Sequence, residues 1–432
     1  MTDPIVERFL RFLDASPTSY HCAQTAARWL IEAGFEPIDH TAPPSPLPPG
    51  AKRFIHHNGV VIAFRVGSAP TAQAGFHMVL AHTDSPNLRI KPQPYIVEKG
   101  YVRLGVEVYG GAILATWTDR DLGIAGQVVL RDGDGQRSVL VDLRKPLARV
   151  PNVAIHLNRR VNEDGLKLNK QKHMPVLFAL EDEDDARPLH TLLASEVGCE
   201  ADDILAWDLS LYDLTPATLS GANDEFLHSA RLDNVGSCHA GLEALIGSVA
   251  FEPGPATAVL ALFDHEEVGS RSVSGADGRM LEHVLERITR DATLQEPGGL
   301  SRALSVSMAI SADMTHAVHP GWADKSEPQH LPHLNRGPAI KQNHNQRYGT
   351  SGETAAIFLR LCEKAGVPSQ YFVSRSDMAC GTTVGPIVSA GVGVSTVDVG
   401  NPMLSMHSAR EMCGAKDQPW MVAAMREWFT GS

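Results

Sequence analysis

The chain has no Cys-x-x-Cys pair, no apolar run of membrane-spanning length and no excess of basic charge. Each absence removes a class of protein. The six cysteines, at positions 22, 199, 238, 362, 380 and 413, are scattered. That is a pattern of reduced thiols, not of a disulfide framework or a structural zinc site. A spanning helix needs about 20 mostly apolar residues, so no membrane segment is expected. Lys and Arg number 38 against 50 Asp and Glu, a formal charge of −12. Nucleic acid and anionic membrane both require a basic face, so neither is expected as a partner. The opening residues show no basic stretch leading into an apolar one; no secretory leader is apparent, and a cytoplasmic location is expected.

What is present is an ordinary globular mixture, 43% hydrophobic and 20% charged. At 432 residues the chain is long for one core, which suggests two domains or one domain with a large insertion. Residues 5–34 read as two helices, with Val6, Phe9, Leu10 and Leu13 on one face and Gly34 as a C-cap. A proline-rich loop follows at 43–49, then strands at 59–66 and 76–82. From about residue 90 the pattern changes to short β-rich segments, 95–109, 111–118, 123–130 and 137–143, separated by Gly and Asp turns. Residues 181–188 are acidic and read as a solvated linker. After residue 230, strands at 257–264, 304–312, 370–374 and 393–399 alternate with helices from Asp233 to Leu245 and at 280–290, 351–365 and 416–429. This predicts an α/β domain with a mostly parallel sheet flanked by helices, formed by 1–90 and 230–432, and a β-rich insertion at 91–229.

The segment Asp-His-Glu266-Glu267-Val-Gly-Ser closes an apolar strand. In extended backbone neighbouring side chains point to opposite faces, so one glutamate can face a metal and the other a substrate. Hydrolysis by a metal-activated water needs that division: a ligand to hold the ion, and a carboxylate to take the proton. Four other segments put ligand-type residues at or near strand ends: His82-Thr-Asp84, Asp233-Asn234, Asp313-Met-Thr-His316 and His407. In open α/β sheets sites gather beyond the carboxyl ends of the strands. Each piece has an ordinary alternative: a local His–Asp hydrogen bond, a helix N-cap at Asp233, a turn residue at Asp313, a packed histidine at His407. Jointly they supply two imidazoles and three carboxylates, the composition of a two-ion site with a bridging carboxylate.

These residues resemble a known family. Ala-His82-Thr-Asp84-Ser-Pro, Ser-Ala-Arg-Leu-Asp233-Asn, Asp-His-Glu266-Glu267-Val-Gly-Ser, Asp313-Met-Thr-His316-Ala-Val-His319-Pro, Asn-Gln-Arg347-Tyr348, Cys380-Gly-Thr-Thr-Val-Gly-Pro and Met406-His407-Ser-Ala-Arg-Glu occur in the order found in the aspartyl aminopeptidase family of zinc metallopeptidases. The likeness covers essentially the whole chain. It implies two Zn2+ per subunit, replaceable by Mn2+ or Co2+, with Asp233 bridging, His82 and Asp313 completing one ion, and Glu267 and His407 the other. Glu266 is implied as general base and later acid, and Asp84 as the residue that orients His82. Lys341 and Tyr348 are implied in the substrate pocket, His316 near the reacting carbonyl, and His156 in the active site of a neighbouring subunit. The implied substrates are peptides with a free N-terminus, preferentially Asp or Glu. The implied assembly is a homo-oligomer, a dodecamer built from dimers through the inserted domain. Gly349, where the family commonly has Ala, and Ser376-Asp377, where it often has Asn-Asp, depart from the pattern. Three alternatives follow from the same residues: a neutral, leucine-type aminopeptidase, a related dinuclear deacylase, and a catalytically silent oligomeric scaffold.

Overall fold

The computed structural model describes residues 3–39, 47–181, 186–293 and 298–431. Residues 43–46 of the proline-rich stretch and 182–185 of the acidic stretch lie outside the described residues. The chain forms two compact units. The larger comprises Met1–Asp84, Ala217–Met406 and Glu411–Ser432; the smaller comprises Ser85–Pro216 and His407–Arg410.

The larger unit is built on a nine-stranded mixed sheet. Its order is Glu36–Pro37, Lys52–His57, Val60–Arg65, Thr257–Phe263, Phe76–His82, Met308–Ala312, Ser395–Gly400, Ala339–Gln342 and Gln370–Val373. The four strands from Thr257–Phe263 to Ser395–Gly400 run parallel. A parallel strand covered on both faces reads as a near-continuous apolar run; every residue of Thr257–Phe263 is buried, and all but Thr257 are apolar. Alternation then sorts its side chains between two cores. Val79, Ala81, Leu260 and Leu262 pack with Phe9, Leu30, Leu242 and Phe358 from helices on one face. Met78, Leu80, Val259 and Ala261 pack with Leu285, Ile288 and Val388 on the other.

Five strands form a second small sheet in this unit, in the order Thr218–Ser220, Phe226–Ser229, Glu411–Gly414, Pro402–Leu404 and Thr315–His316. The smaller unit holds a six-stranded antiparallel sheet: Gly135–Ala148, Leu122–Asp132, Ile204–Asp213, Asn87–Glu98, Tyr101–Tyr109 and Val176–Leu180. Among the described residues, no helix is long and apolar enough to cross a membrane.

Three local expectations need correction, and one helix was not anticipated. Residues 304–312 do not form one strand: helix Gly299–Ser305 occupies the first part and the strand begins at Met308. Residues 95–109 are two strands of a hairpin, turned at Lys99 and Gly100 with φ of +58° and +80°, the left-handed pair that a tight hairpin requires. Residues 111–118 hold a 3-10 turn at Leu114–Trp117 instead of a strand. Helix Val384–Val392 was not visible in a sequence rich in Val, Gly and Pro, all poor helix formers. Burial of Val384 and Val388 under the sheet overrides that propensity.

Candidate metal centre

The parallel strands deliver the site residues to one edge of the sheet. His82 is the last residue of its strand and pairs in register with Phe263, so Asp264 to Glu267 emerge beside it. Asp313 follows directly on Met308–Ala312. Asp233 comes from the first turn of helix Leu232–Ser248, where Asp233 and Asn234 are non-helical and no side chain caps the helix.

His82 is the centre of the cluster and is 1% exposed. Its Nε2 stands 3.5 Å from Asp233 Oδ1, 3.6 Å from Asp313 Oδ1 and 3.9 Å from Glu266 Oε2. Its other nitrogen, Nδ1, lies 3.0 Å from the Asp84 carbonyl oxygen and 3.3 Å from Asp84 Oδ1. A donor on Nδ1 leaves Nε2 as the lone-pair nitrogen facing the carboxylates, the tautomer a metal ligand needs. Ligand atoms of His82, Asp233 and Glu267 also lie within 4.8 Å of one another.

The electrostatics are those of a cation site. Burial disfavours charge on His82, yet Asp233, Asp313 and Asp84 together hold its pKa well above the usual histidine range. Burial, helped by Asp313, Glu267 and Asp233 and opposed by His82, pushes Glu266 up to about 8. Protons are recruited because positive charge is short. Four donors around zinc at about 2.0–2.1 Å lie about 3.3 Å apart. The measured 3.5 and 3.6 Å about His82 Nε2 fit that spacing, and imidazole with carboxylates is a donor set zinc accepts.

The two glutamates sit differently from the sequence expectation. They are not in extended backbone: Glu266–Val268 is a 3-10 turn, entered at His265 with φ +63°. Asp84 holds this turn. Its Oδ1 accepts from the Glu266 N–H and its Oδ2 from the Glu267 N–H, each at 3.1 Å. The turn, and not strand alternation, sets the directions of the two carboxylates. Arg231, with φ +62°, is a second non-glycine left-handed residue next to a site segment, a costly conformation that persists where surroundings over-determine it.

Lys341 is 3% exposed, with Nζ 3.4 Å from Asp313 Oδ2 and 5.5 Å above the Tyr348 ring. Burial pushes the Tyr348 hydroxyl up, with Cys380 contributing. His316 is exposed and packs edge-on against Phe372, which also meets Tyr348. The larger unit thus brings His82, Asp84, Asp233, Glu266, Glu267 and Asp313 together and sets Lys341 and Tyr348 against Asp313. His407 and His156 belong to the smaller unit. There His407 is left-handed with φ +68° and its Nδ1 is 3.2 Å from the Gly111 carbonyl oxygen. His156 is exposed outside regular structure.

Sequence reasoning missed several supporting residues. Glu411, 1% exposed, accepts the Asp233 N–H at 3.1 Å; the Ser-Ala-Arg-Glu motif contained it, but nothing in the spacing links it to Asp233. Cys238 donates its thiol to the His82 carbonyl oxygen at 2.9 Å. Phe372 pairs in register with Lys341, a neighbour that only the strand order reveals.

A buried imidazole among carboxylates at the carboxyl edge of a parallel sheet defines the class, a divalent-metal enzyme. The sequence matches the description Aminopeptidase I zinc metalloprotease (M18) over residues 12–429. It is 45% identical over 437 aligned residues to a probable M18 family aminopeptidase 2 of Stutzerimonas stutzeri, covering 100% of this chain and 99% of the relative. Its fold superposes with a TM-score of 0.94 and 37% identity on a chain from a cryo-EM structure of the Ape4 and Nbr1 complex, covering 99% of this chain and 85% of that one. The S. cerevesiae mApe1 dodecamer matches with a TM-score of 0.86 and 28% identity, covering 99% and 96%. The chain belongs to the M18 family and is a zinc metallo-aminopeptidase.

Proposed function

We propose that the protein holds two zinc ions and removes N-terminal Asp or Glu from peptides. In this reading His82, Asp233 and Asp313 would hold one ion, and Asp233, Glu267 and His407 would hold the other. Mn2+ or Co2+ could substitute. The observation that carries the proposal is His82 Nε2 facing Asp233, Asp313 and Glu266 at 3.5, 3.6 and 3.9 Å. With Glu267 and Asp84 that makes five carboxylates, against Lys341 as the cation once His82 is a neutral ligand. Two dications supply the missing charge.

Bound zinc would contribute Lewis acidity toward the scissile carbonyl and lower the pKa of water to roughly 7. Glu266 takes the proton from the attacking water and delivers it to the leaving amine. Asp84 keeps Glu266 aimed by holding its backbone N–H, and keeps His82 in the ligating tautomer. His316, and His156 of a neighbouring subunit, donate to the developing oxyanion. That role for His156 requires a homo-oligomer. A dodecamer built from dimers is proposed, with the β-rich segment 91–229, inserted between 1–90 and 230–432, as the dimer contact. The mApe1 dodecamer among the structural relatives supports this. Peptides with a free N-terminus are the proposed partners, in the cytoplasm.

Glu266→Gln tests the central assignment. The variant should keep its metal content by mass spectrometry and lose roughly 10²–10⁴-fold in hydrolysis, the usual range for a general base. Unchanged hydrolysis would remove Glu266 from the role. One observation favours a second reading of specificity. Lys341 Nζ already pairs with Asp313 at 3.4 Å, and a lysine so engaged suits a neutral, leucine-type pocket. Asp-, Glu- and Leu-anilides compared in wild type and Lys341→Ala separate the two. Selective loss of the acidic substrates supports Lys341 as their counter-ion; a Leu preference unaltered by the substitution supports the neutral pocket.

A further inference from the structure

A cavity of about 820 Å3 lies in the larger unit between strand Lys52–His57, the loop at 270–279 and helix Met280–Thr293. None of its lining residues belongs to the metal centre. The volume falls within the range of small-molecule sites, about 300–1,000 Å3. One helical face forms a wall. Met280, His283, Val284 and Arg287 recur at the spacing that puts side chains on one stripe. Ile55 and Val273 add apolar surface from the opposite elements. Val273 is 72% exposed, an apolar side chain that the protein's own core does not cover.

The polar lining is mainly basic. Arg279, Arg287 and Arg290 reach the cavity, where Glu286 is the acidic lining residue. Arg279 pairs with Glu282, and Arg290 with Glu286, along the helix surface. Such exposed one-turn pairs are weak, so a ligand anion competes with them at small cost. Arg287 Nη1 donates to the Asp39 carbonyl oxygen at 3.0 Å. His57 and His283 bring two imidazoles. Three guanidiniums against Glu282 and Glu286, over an apolar floor, are complementary to a molecule with one anionic end and an apolar body.

The cavity also adjoins the catalytic turn. Ser272 lines it, and Ser272 Oγ is 2.8 Å from His265 Nδ1. His265 is the left-handed residue that starts the Glu266–Val268 turn. Its carbonyl oxygen accepts the Ser270 N–H at 2.8 Å, and the Asp264 N–H donates to the Ser274 carbonyl oxygen at 2.9 Å. The loop that walls the cavity is therefore bonded through Ser270, Ser272 and Ser274 to the segment carrying Glu266.

We propose that this cavity is a second ligand site, for a small amphipathic monoanion such as a medium-chain or aryl carboxylate, and that its occupancy alters hydrolysis through the Ser272–His265 contact. The coupling rests on the assignment of Glu266 as the base; the binding does not. The test titrates decanoate into the zinc-loaded protein in its native assembly, by calorimetry, with acetate and decanol as charge-only and chain-only probes. Saturable binding of one decanoate per chain is expected, with acetate inert and decanol at least about tenfold weaker. The doubly exchanged Arg279→Glu, Arg287→Glu variant should lose about tenfold or more, the worth of a charge-assisted contact, with its circular dichroism unchanged. Absence of saturable binding, or binding indifferent to that double exchange, overturns the site. The rate of peptide hydrolysis is read in the same titration. Decanoate should change kcat in wild type and not in Ser272→Ala, while binding to Ser272→Ala stays intact. A rate that decanoate leaves constant overturns the coupling. Failure of the Glu266 assignment would show separately, as hydrolysis retained by Glu266→Gln with an unaltered decanoate isotherm.

Discussion

Asp84→Asn is the most informative single change at the metal centre. The carboxylate performs two tasks, each with a measured contact. Its two oxygens accept the N–H groups of Glu266 and Glu267 at 3.1 Å each, and Oδ1 is also 3.3 Å from His82 Nδ1. Asparagine preserves volume but has one acceptor oxygen. Its NH2 group must face the Glu267 N–H in one orientation, or the Glu266 N–H and the His82 ring in the other. One charge-assisted bond is lost, about 2 kcal/mol, with a donor left against a donor in a site 2% exposed. At 1.36 kcal/mol per tenfold, that is a loss of about thirtyfold, inside the 10–100-fold range for outer-shell partners of metal ligands. The expected outcome is a drop of about thirtyfold in kcat/KM, accompanied by weaker zinc retention in competition with a chelator. The two readouts divide the tasks. Loss of kcat with unchanged zinc affinity assigns Asp84 to the glutamate turn, and loss of affinity assigns it to His82. Activity and zinc affinity both within twofold of wild type would refute the argument, since neither contact would then matter.

Two further predictions concern the scaffold. His239 is fully buried beside Phe9, Phe12 and Trp29, and burial, with Arg8 adding, lowers its pKa to about 3. A depressed folded-state pKa means stability present above the unfolded value of 6.5 and lost as pH falls toward 3. At pH 5 wild type should have lost about 2 kcal/mol relative to pH 8 through this group. His239 Nδ1 lies 2.9 Å from Gln418 Nε2; His239→Gln, which can still meet Gln418, should show a smaller loss in urea unfolding, and identical pH dependence of the two proteins would count against it. Gly400→Ala should destabilise by roughly 3 kcal/mol, at the upper end for overpacking, because a Cβ there would stand 2.0 Å from the Asp313 carbonyl oxygen. Displacement of Asp313 should also cut activity. A variant with wild-type melting temperature and wild-type rate would show that the close approach is not required.

The scaffold and the inventory of the site were written in the sequence, because both depend on short-range chemistry. The run 258–263 is apolar at every position since it is covered on both faces, and strand Phe76–His82 was legible to the residue. Clusters such as Glu266-Glu267 and His82-Thr-Asp84 were visible as ligand-type chemistry at strand ends. What sequence could not supply was direction and pairing across long separations. The glutamates were expected to part by strand alternation, whereas a 3-10 turn held by Asp84, 182 and 183 residues away, sets their directions. Glu411 supports Asp233 from 178 residues away. Lys341 meets Asp313 because the order of the sheet brings their strands to the same edge. Helix Val384–Val392 forms against its own propensity because its valines reach the core. Local pattern fixes which residues are suited to a strand, a helix or an ion. The folded chain alone decides which of them stand 3.5 Å apart, because that distance is set by packing and hydrogen bonds between segments that are remote in sequence.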